Sequence, residues 1–259
     1  GLDLDLLTRG AGFGYIGSTI TSLIYAGFTF IFFALEAAIM AMALRMATDW
    51  HLTVCYVLSA LVIIPLTVRG ITFISRLQGW TQLPWVFLTV LPFVWLALQE
   101  PQVYRELTQL AGLKSGSSGF DWLMFGAACS VIFALVVQIG EQVDYLRFMP
   151  ERTRQNRVRW WLAVLIPGPG WIVMGMLKMA GGAFLAFAAM QFEVAPERTT
   201  EPTQMFLAGF TEAVGHPGLA VLMTVVFVII SQIKINVTNA YAGSLAWSNF
   251  FARVTHSHP

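Results

Sequence analysis

Charged side chains are scarce in this chain. Asp, Glu, Lys and Arg make up 11% of its 259 residues, whereas hydrophobic residues make up 57%. Soluble globular domains carry about 25% charged residues, and a water-soluble fold of this length needs more charge than this to cover its surface. The scarcity therefore excludes an ordinary soluble domain and predicts a protein whose surface contacts a lipid bilayer.

Cysteines and catalytic motifs are also nearly absent. Cys55 and Cys129, the only two cysteines, lie in apolar stretches, so they supply neither a disulfide framework nor a metal site. The net charge of +1 creates no field that would attract nucleic acid. The sequence shows no hydrolase triad, phosphate loop or metal-ligand cluster. We therefore expect no cofactor and no metal, and any enzyme activity would need a further domain, such as a kinase.

Six long apolar stretches predict an all-α integral membrane protein, because a helix needs about 20 apolar residues to cross a bilayer. We assign them to a single partial transmembrane domain over residues 1–259. The fifth stretch is too long for one straight helix, and the run Pro167–Gly170 inside it predicts a break. Because the chain begins at Gly1 rather than Met, we interpret it as a piece of a longer protein. The predicted spans are 18–44, 51–68, 82–98, 122–140, 158–190 and 218–250.

Basic residues are distributed unevenly between the two ends of the predicted spans. Nine of the 15 Lys and Arg residues flank one end, four flank the other, and Lys178 and Lys234 lie inside spans. Because cytoplasmic loops carry the excess of basic residues, we expect both termini on the cytoplasmic side of the inner (plasma) membrane. The Arg-rich stretch 147–159 is then a cytoplasmic loop rather than a nucleic-acid site.

Two ionisable side chains of opposite charge lie near the middle of predicted spans, Glu36 in the first and Lys234 in the last. A charge at the bilayer centre costs about 2.5–3.5 kcal/mol or more, so both residues are candidates for a functional site. Their similar depth leads to the hypothesis that they face one cavity and form an ion pair. The alternative is that each binds separate carbonyl groups or water.

The last span is unusually polar around Lys234. Lipid does not satisfy hydrogen-bonding groups, so we expect this helix to face protein or a water-filled path. The end of the fourth span is polar as well, at Gln138, and Gly140 beside it permits unwinding. Interrupted helices of this kind build binding sites near the midplane in transporters. The polar residues of the last span are Ser231, Gln232, Asn236, Thr238, Asn239, Tyr241, Ser244, Ser248 and Asn249.

Three motifs occur in an order that is typical of one transporter family. They are RGAGFGYIGS at Arg9–Ser18, DYLRF at Asp144–Phe148 and NAYAGSL at Asn239–Leu245. They resemble the start of the third helix, the segment after the sixth and part of the eighth in the nucleobase–cation symporters of the purine–cytosine permease type. The resemblance implies helices three to eight of an inverted-repeat, leucine-transporter-like fold, without the first two helices and those after the eighth.

The same resemblance implies a substrate site. Phe32 and Glu36 match an aromatic residue and an amide that contact the substrate from that family's third helix, so a flat heterocycle would stack on Phe32 and donate N–H bonds to Glu36. The stretch 135–140 would line the opposite wall. The implied substrate-binding residues are Phe32, Glu36, Leu135, Gln138, Asn236 and Asn239.

The resemblance further implies a coupling-ion position on the eighth helix, where Ser231 matches a backbone contributor to a sodium site. Lys234 occupies a position at which the family has a hydroxyl. An ammonium group donates hydrogen bonds and accepts none, so it would repel sodium and take its place. We therefore expect no ordinary sodium site, and either coupling through a proton carried by Lys234 and Glu36 or no coupling ion.

Two functions agree with these features. The first is a membrane transporter that takes up a small flat nitrogen heterocycle, such as a nucleobase or a hydantoin. The second rests on the resemblance alone: in one branch of the family the permease-like module is the ligand-sensing input domain of a histidine kinase, and a cytoplasmic kinase domain reads its conformation. The sequence downstream of Pro259 would separate the two. A purely structural membrane subunit leaves Glu36 and Lys234 without explanation.

Overall fold

The computed structural model describes residues 4–110, 119–136, 146 and 148–255, with side chains described from residue 11 onwards except at 135 and 136. Every regular element in this part of the chain is helical. A short 3₁₀ turn covers Pro196–Arg198. The α-helices, numbered here in chain order, are α1 Leu4–Thr48, α2 Leu52–Val68, α3 Gly70–Gln99, α4 Pro101–Gln109, α5 Trp122–Val136, α6 Arg157–Leu165, α7 Trp171–Gln191, α8 Pro202–Val214 and α9 Pro217–Val254.

Within the described residues, four helices are long and apolar enough to cross a membrane: Ala11–Thr48 in α1, and the whole of α3, α7 and α9. Long apolar helices are thus confirmed at the first, third, fifth and sixth predicted spans. The second and fourth correspond to shorter apolar helices, α2 and Trp122–Ala134. α3 contains the whole of the third predicted span, 82–98, and extends beyond it at the N-terminal end, because the helix begins at Gly70. Two helices, α4 and α8, lie where loops were predicted.

Glycine and proline interrupt the helices at two places. The run Pro167–Gly170 separates α6 from α7, which confirms the break predicted in the fifth span. Gly14 has φ +68° and ψ −172° inside α1, a backbone conformation that glycine adopts readily because it has no Cβ. α1 is therefore kinked at Gly14, and the part that follows the kink contains Glu36.

The chain divides into two compact units. One consists of Gly1–Ser18 and Thr108–Gly181, and the other of Thr19–Leu107 and Gly182–Pro259. The first contains α5, α6 and the first half of α7. The second contains most of α1, together with α2, α3, α4, α8 and α9, and it holds both ionisable residues that the sequence singled out.

Helix α9 is the central helix of the second unit, where it packs against α2, α3 and α8. It also approaches α1 closely: a Cβ at Gly243 would lie 2.6 Å from Thr29 Oγ1, so only glycine fits there. Small residues of this kind let membrane helices pack backbone to backbone. Buried apolar side chains fill the space between these helices, and they include Ile63 of α2, Leu88 and Leu96 of α3, Phe210 of α8, and Phe227, Val228 and Val237 of α9.

Buried threonine hydroxyls donate to carbonyl oxygens of their own helices. Thr29 Oγ1 donates to Ala26 O at 2.9 Å in α1, and Thr224 Oγ1 donates to Ala220 O at 2.8 Å in α9. Such bonds satisfy a hydroxyl without any partner from a second helix. Two longer polar side chains of α9, Lys234 and Asn236, also have partners on neighbouring helices.

Candidate functional site

Glu36 and Gln232 form a polar contact between α1 and α9. The side-chain amide of Gln232 hydrogen-bonds the carboxyl of Glu36, which is half-buried. Gln232 is only 8% exposed, and its Oε1 is buried without a hydrogen-bond partner among the described residues. Because the amide donates to the carboxyl through its nitrogen, its oxygen remains as a second acceptor nearby. The contact therefore places two hydrogen-bond acceptors, the Glu36 carboxyl and Gln232 Oε1, between two apolar helices.

Asn236 and Asn239 continue this polar face of α9. Asn236 is fully buried, and its Nδ2 donates to Phe33 O of α1 at 3.4 Å. Its Oδ1 accepts from Asn239 Nδ2 at 3.5 Å. Gln232, Asn236 and Asn239 are spaced by four and three residues, so they share one face of the helix. We call the group Glu36, Gln232, Asn236 and Asn239 the α1–α9 polar cluster.

Lys234 contacts α3 instead. Its Nζ lies 3.0 Å from Gln78 O, 3.2 Å from Thr81 Oγ1 and 3.2 Å from Gln82 Oε1. The same Nζ is 5.9 Å from the ring centroid of Trp85. We call the oxygens of Gln78, Thr81 and Gln82 the α3 oxygen cradle, and they match the three donors of an ammonium group in number.

Glu36 and Lys234 thus have separate partners, and the ion pair hypothesised from the sequence is not formed between these two described residues. The reason is helical geometry. Gln232 and Lys234 are two positions apart in α9, and side chains at that spacing point about 200° apart around a helix. Glu36 meets the Gln232 side of α9, whereas α3 meets the Lys234 side. Of the alternative, in which each residue binds carbonyl groups or water, the structure shows only the bond from Lys234 Nζ to the backbone carbonyl of Gln78; the other described partners are side chains.

Ser231 and Phe32 have described partners outside the polar cluster. Ser231 Oγ accepts a hydrogen bond from Trp85 Nε1 at 3.3 Å, which places it on the α3 side of α9 with Lys234. The ring of Phe32 packs on Phe28, one helical turn away, with centroids 4.6 Å apart and planes tilted by 46°. Phe32 is half-buried, so part of its ring is open to other contacts.

The two remaining substrate-binding candidates are not fully described by the structure, and Lys178 lies in the first compact unit. The side chain of Leu135 and the whole of Gln138 fall outside the described residues. Lys178 is exposed, and its Nζ lies 5.3 Å from the Trp171 ring centroid.

The sequence reasoning missed the α3 oxygen cradle, because the third span was predicted to begin at residue 82. Gln78, Thr81, Gln82 and Trp85 follow the spacing i, i+3, i+4, i+7, which is one face of a helix. In an apolar helix such a polar stripe indicates a face turned towards protein. Gln232 was recognised as polar but not as a site residue, although its position four residues before Asn236 puts both on one face.

Together these features define a class: an all-helical protein with apolar helices suited to crossing a membrane and with polar side chains buried between two of them. No protein-family model matches the chain, and no curated protein or solved structure is significantly similar to it. Among the described residues, no group of three or more His, Cys, Asp or Glu side chains is placed to hold a metal ion. The chemistry of the polar cluster is therefore the guide to function.

Proposed function

We propose that this chain is the membrane module of a transporter and that the α1–α9 polar cluster binds a small flat nitrogen heterocycle, such as a nucleobase or a hydantoin. The observation that carries this proposal is the buried Oε1 of Gln232, which has no partner among the described residues. Such an atom costs about 1–3 kcal/mol. A ligand that donates a hydrogen bond to it would remove this cost, which makes the atom a candidate binding group.

The acceptors of the cluster fit a ligand with several N–H donors on one edge. The Glu36 carboxyl and Gln232 Oε1 both accept, and the amide groups of Asn236 and Asn239 can donate or accept. Nucleobases and hydantoins carry N–H and C=O groups side by side in a flat ring. Phe32 precedes Glu36 by one helical turn, so its half-buried ring would provide the stacking surface.

Lys234 supports uptake that does not depend on sodium. Its ammonium group already lies against the three oxygens of the α3 oxygen cradle, so a group of the protein itself occupies the position from which those oxygens could bind a cation. Ser231 lies on the same side of α9. In this proposal the coupling ion is a proton carried by Glu36 and Lys234, each in its own surroundings.

The setting of the proposed transporter follows from the distribution of basic residues. The module would lie in the inner (plasma) membrane with both ends of the chain on the cytoplasmic side. Its partners would be the lipid bilayer and the small-molecule solute, and nucleic acid would not be among them. Cysteine labelling of Trp50→Cys and Arg253→Cys variants from either side of the membrane tests this orientation. Trp50 follows the C-terminal end of α1 and Arg253 lies in the last turn of α9, and the proposed orientation places these two ends on opposite sides.

A thermal-shift experiment on the full-length protein tests the binding site. A panel of nucleobases and hydantoins is added in sodium chloride or in choline chloride, to the wild type, to Glu36→Gln and to the control Glu212→Gln. Glu212 is an exposed carboxylate of α8, outside the cluster. We expect one heterocycle to raise the melting temperature of the wild type and of Glu212→Gln in either salt. The apparent affinity of Glu36→Gln for this heterocycle should be at least tenfold lower. Stabilisation by none of the compounds would refute the binding site, and a strict sodium requirement would refute the role of Lys234.

A second function is the membrane input domain of a sensor histidine kinase. The observation that favours it is again the cradle, because a module whose cation position is held by its own Lys234 needs no ion gradient to change conformation. Radiolabelled uptake into vesicles separates the two functions. Uptake of the stabilising heterocycle supports transport, whereas binding without uptake supports sensing and predicts a kinase domain in the full-length chain.

A further inference from the structure

A basic surface with two tryptophans surrounds the start of α6. Its arginines are exposed, and none of them forms an ion pair with another described residue. Glu151 is the only acidic residue between positions 148 and 165. This surface belongs to neither the polar cluster nor the cradle. We call it the Arg–Trp surface, and it consists of Arg152, Arg154, Arg157, Arg159, Trp160 and Trp161.

Hydrogen bonds hold the backbone of this surface in a defined shape. Asn156 precedes α6, and its Oδ1 accepts from Thr153 N at 2.7 Å while its Nδ2 donates to Glu151 O at 2.9 Å. Trp160 Nε1 donates to Pro150 O at 3.0 Å. These bonds tie the loop 150–156 to the first turns of α6. The basic side chains therefore project from an ordered loop and helix rather than from a free tail.

Arg152 lies beside both indole rings. Its Cζ is 5.9 Å from the ring centroid of Trp160 and 5.9 Å from that of Trp161, and the two rings are nearly perpendicular with centroids 5.3 Å apart. Tryptophan is enriched at the boundary between hydrocarbon and headgroups, where its ring is apolar and its N–H is polar. The pairing of indole rings with guanidinium groups is thus the composition expected at a membrane interface.

The depth of the surface follows from the lengths of the two helices that meet at Pro167–Gly170. α7 has 21 residues, which is about 30 Å of helix and enough to cross the hydrocarbon core alone. α6 has nine residues and precedes that span. It exposes apolar side chains at Val158 (71%), Leu162 (50%) and Leu165 (47%). A short helix that precedes a complete span is expected at the level of the headgroups, and the exposed apolar side chains of α6 would there contact lipid.

We propose that the Arg–Trp surface binds the headgroups of anionic phospholipids. Four arginines with one acidic neighbour give the charge complementarity, and a guanidinium group can donate two parallel hydrogen bonds to a phosphate. The tryptophans fix the depth at which the arginines meet the phosphates. This binding is separate from the proposed heterocycle site and does not rest on it.

The test uses the full-length protein in nanodiscs of phosphatidylcholine, with phosphatidylglycerol added in increasing mole fraction while the melting temperature is followed. The test variant replaces all four arginines by glutamine, and a second variant, Arg154→Gln alone, guards against misfolding. A third variant replaces all four by lysine and keeps the charge. Arg198→Gln is the matched control, because Arg198 is an exposed arginine of the other compact unit that pairs with Glu201 at 3.2 Å.

We expect phosphatidylglycerol to stabilise the wild type, the lysine variant and Arg198→Gln. Each basic residue near an anionic surface contributes about a fivefold gain in binding. The half-saturating fraction of phosphatidylglycerol should rise about fivefold in Arg154→Gln and at least tenfold in the fourfold glutamine variant. Equal responses in the wild type and both glutamine variants would overturn the proposal. So would an equal stabilisation of the wild type by inorganic phosphate, because the site would then bind the free anion and not the lipid.

Discussion

Gln78 and Lys234 each hydrogen-bond the backbone of the other. Gln78 Nε2 donates to Lys234 O at 2.7 Å, and Lys234 Nζ donates to Gln78 O at 3.0 Å. The two bonds join α3 to α9 next to a charged group that is costly in a membrane. Each side chain binds a backbone carbonyl oxygen, which is still present when the side chain of the partner is replaced. Either bond can therefore form without the other.

This independence predicts additive effects on stability. Gln78→Leu and Lys234→Met should each lower the free energy of unfolding by about 1–3 kcal/mol, since each leaves polar groups without a partner. The double variant should lose the sum of the two within about 0.5 kcal/mol. Reversible denaturation of the full-length protein in mixed micelles measures these values.

The matched cycle combines Lys234→Met with Gln82→Leu. Lys234 Nζ contacts Gln82 through its side-chain Oε1 at 3.2 Å, so either substitution removes the same bond. This cycle should show a coupling energy of about 0.5–1.5 kcal/mol. A larger coupling for Gln78 than for Gln82 would contradict the reciprocal backbone bonding.

A substitution at Gly243 should disturb the contact between α1 and α9. The added Cβ of Gly243→Ala would lie 2.6 Å from Thr29 Oγ1, and such overpacking costs about 1–3 kcal/mol. Thr29→Ala removes that oxygen, so it should recover part of the loss in the double variant. The control is Gly182→Ala in α7, where no atom lies within 4 Å of the new Cβ and stability should stay equal or rise slightly. Melting temperatures of the four variants decide the matter.

Gln232→Met should separate ligand binding from stability. The substitution removes the bond to Glu36 but also removes the buried Oε1 that has no described partner. These effects oppose each other, so the free energy of unfolding should change by less than about 1 kcal/mol. Affinity for the stabilising heterocycle should fall at least tenfold.

Asn236→Met is the comparison for that experiment. Asn236 is fully buried, and its amide both donates to Phe33 O and accepts from Asn239. It should therefore lose about 1–3 kcal/mol of stability. If Gln232→Met kept full affinity for the heterocycle, the acceptor at its Oε1 would have no role in binding.

Tyr104 of α4 should give a pH-dependent contribution. Its hydroxyl donates to Phe93 O at 2.7 Å and its ring stacks on Phe184 with centroids 4.1 Å apart. Tyr104→Phe should cost about 0.5–1.5 kcal/mol at pH 7, whereas Tyr56→Phe, at an exposed position, should cost nothing measurable.

The sign of the pH effect follows from burial, which raises the pKa of the Tyr104 hydroxyl. The tyrosine of the unfolded chain has a pKa of about 10. At a pH just above this value the hydroxyl is ionised in the unfolded chain but still neutral in the folded protein. Folding is then penalised as pH rises through that value. The advantage of the wild type over Tyr104→Phe should shrink above about pH 10, and an advantage that grows with pH would contradict this.

The sequence was most informative where a single local feature decides the structure. The run Pro167–Gly170 cannot continue a helix, and the break between α6 and α7 lies there. The start of α3 was missed because Gln78 and Thr81 are polar and were assigned to a loop. The Gln78 side chain donates to a carbonyl oxygen of the facing helix α9 and Thr81 Oγ1 accepts from Lys234 Nζ, and these are tertiary relationships.

The depth of Glu36 and Lys234 along their helices did not determine which residues they contact. Both residues were correctly placed in long apolar helices. Whether they meet depends on the rotation of α9 about its axis, and this rotation is set by packing against α2, α3 and α8. Gln232 contacts α1, whereas Lys234, two residues further along α9, contacts α3. Sequence periodicity identified the polar face of α9 without saying which helix would cover it.

The hydroxyls of Thr29 and Thr224 are satisfied by their own helices, whereas Lys234 depends on oxygens of α3. This difference bears on the order in which the protein is made. Helices α1 and α3 leave the ribosome before α9, so the oxygens that receive the ammonium group are already in the membrane when Lys234 arrives. A rearranged gene that encodes α9 ahead of α3 would expose this charge to lipid during synthesis, and insertion of α9 would then be the step that fails.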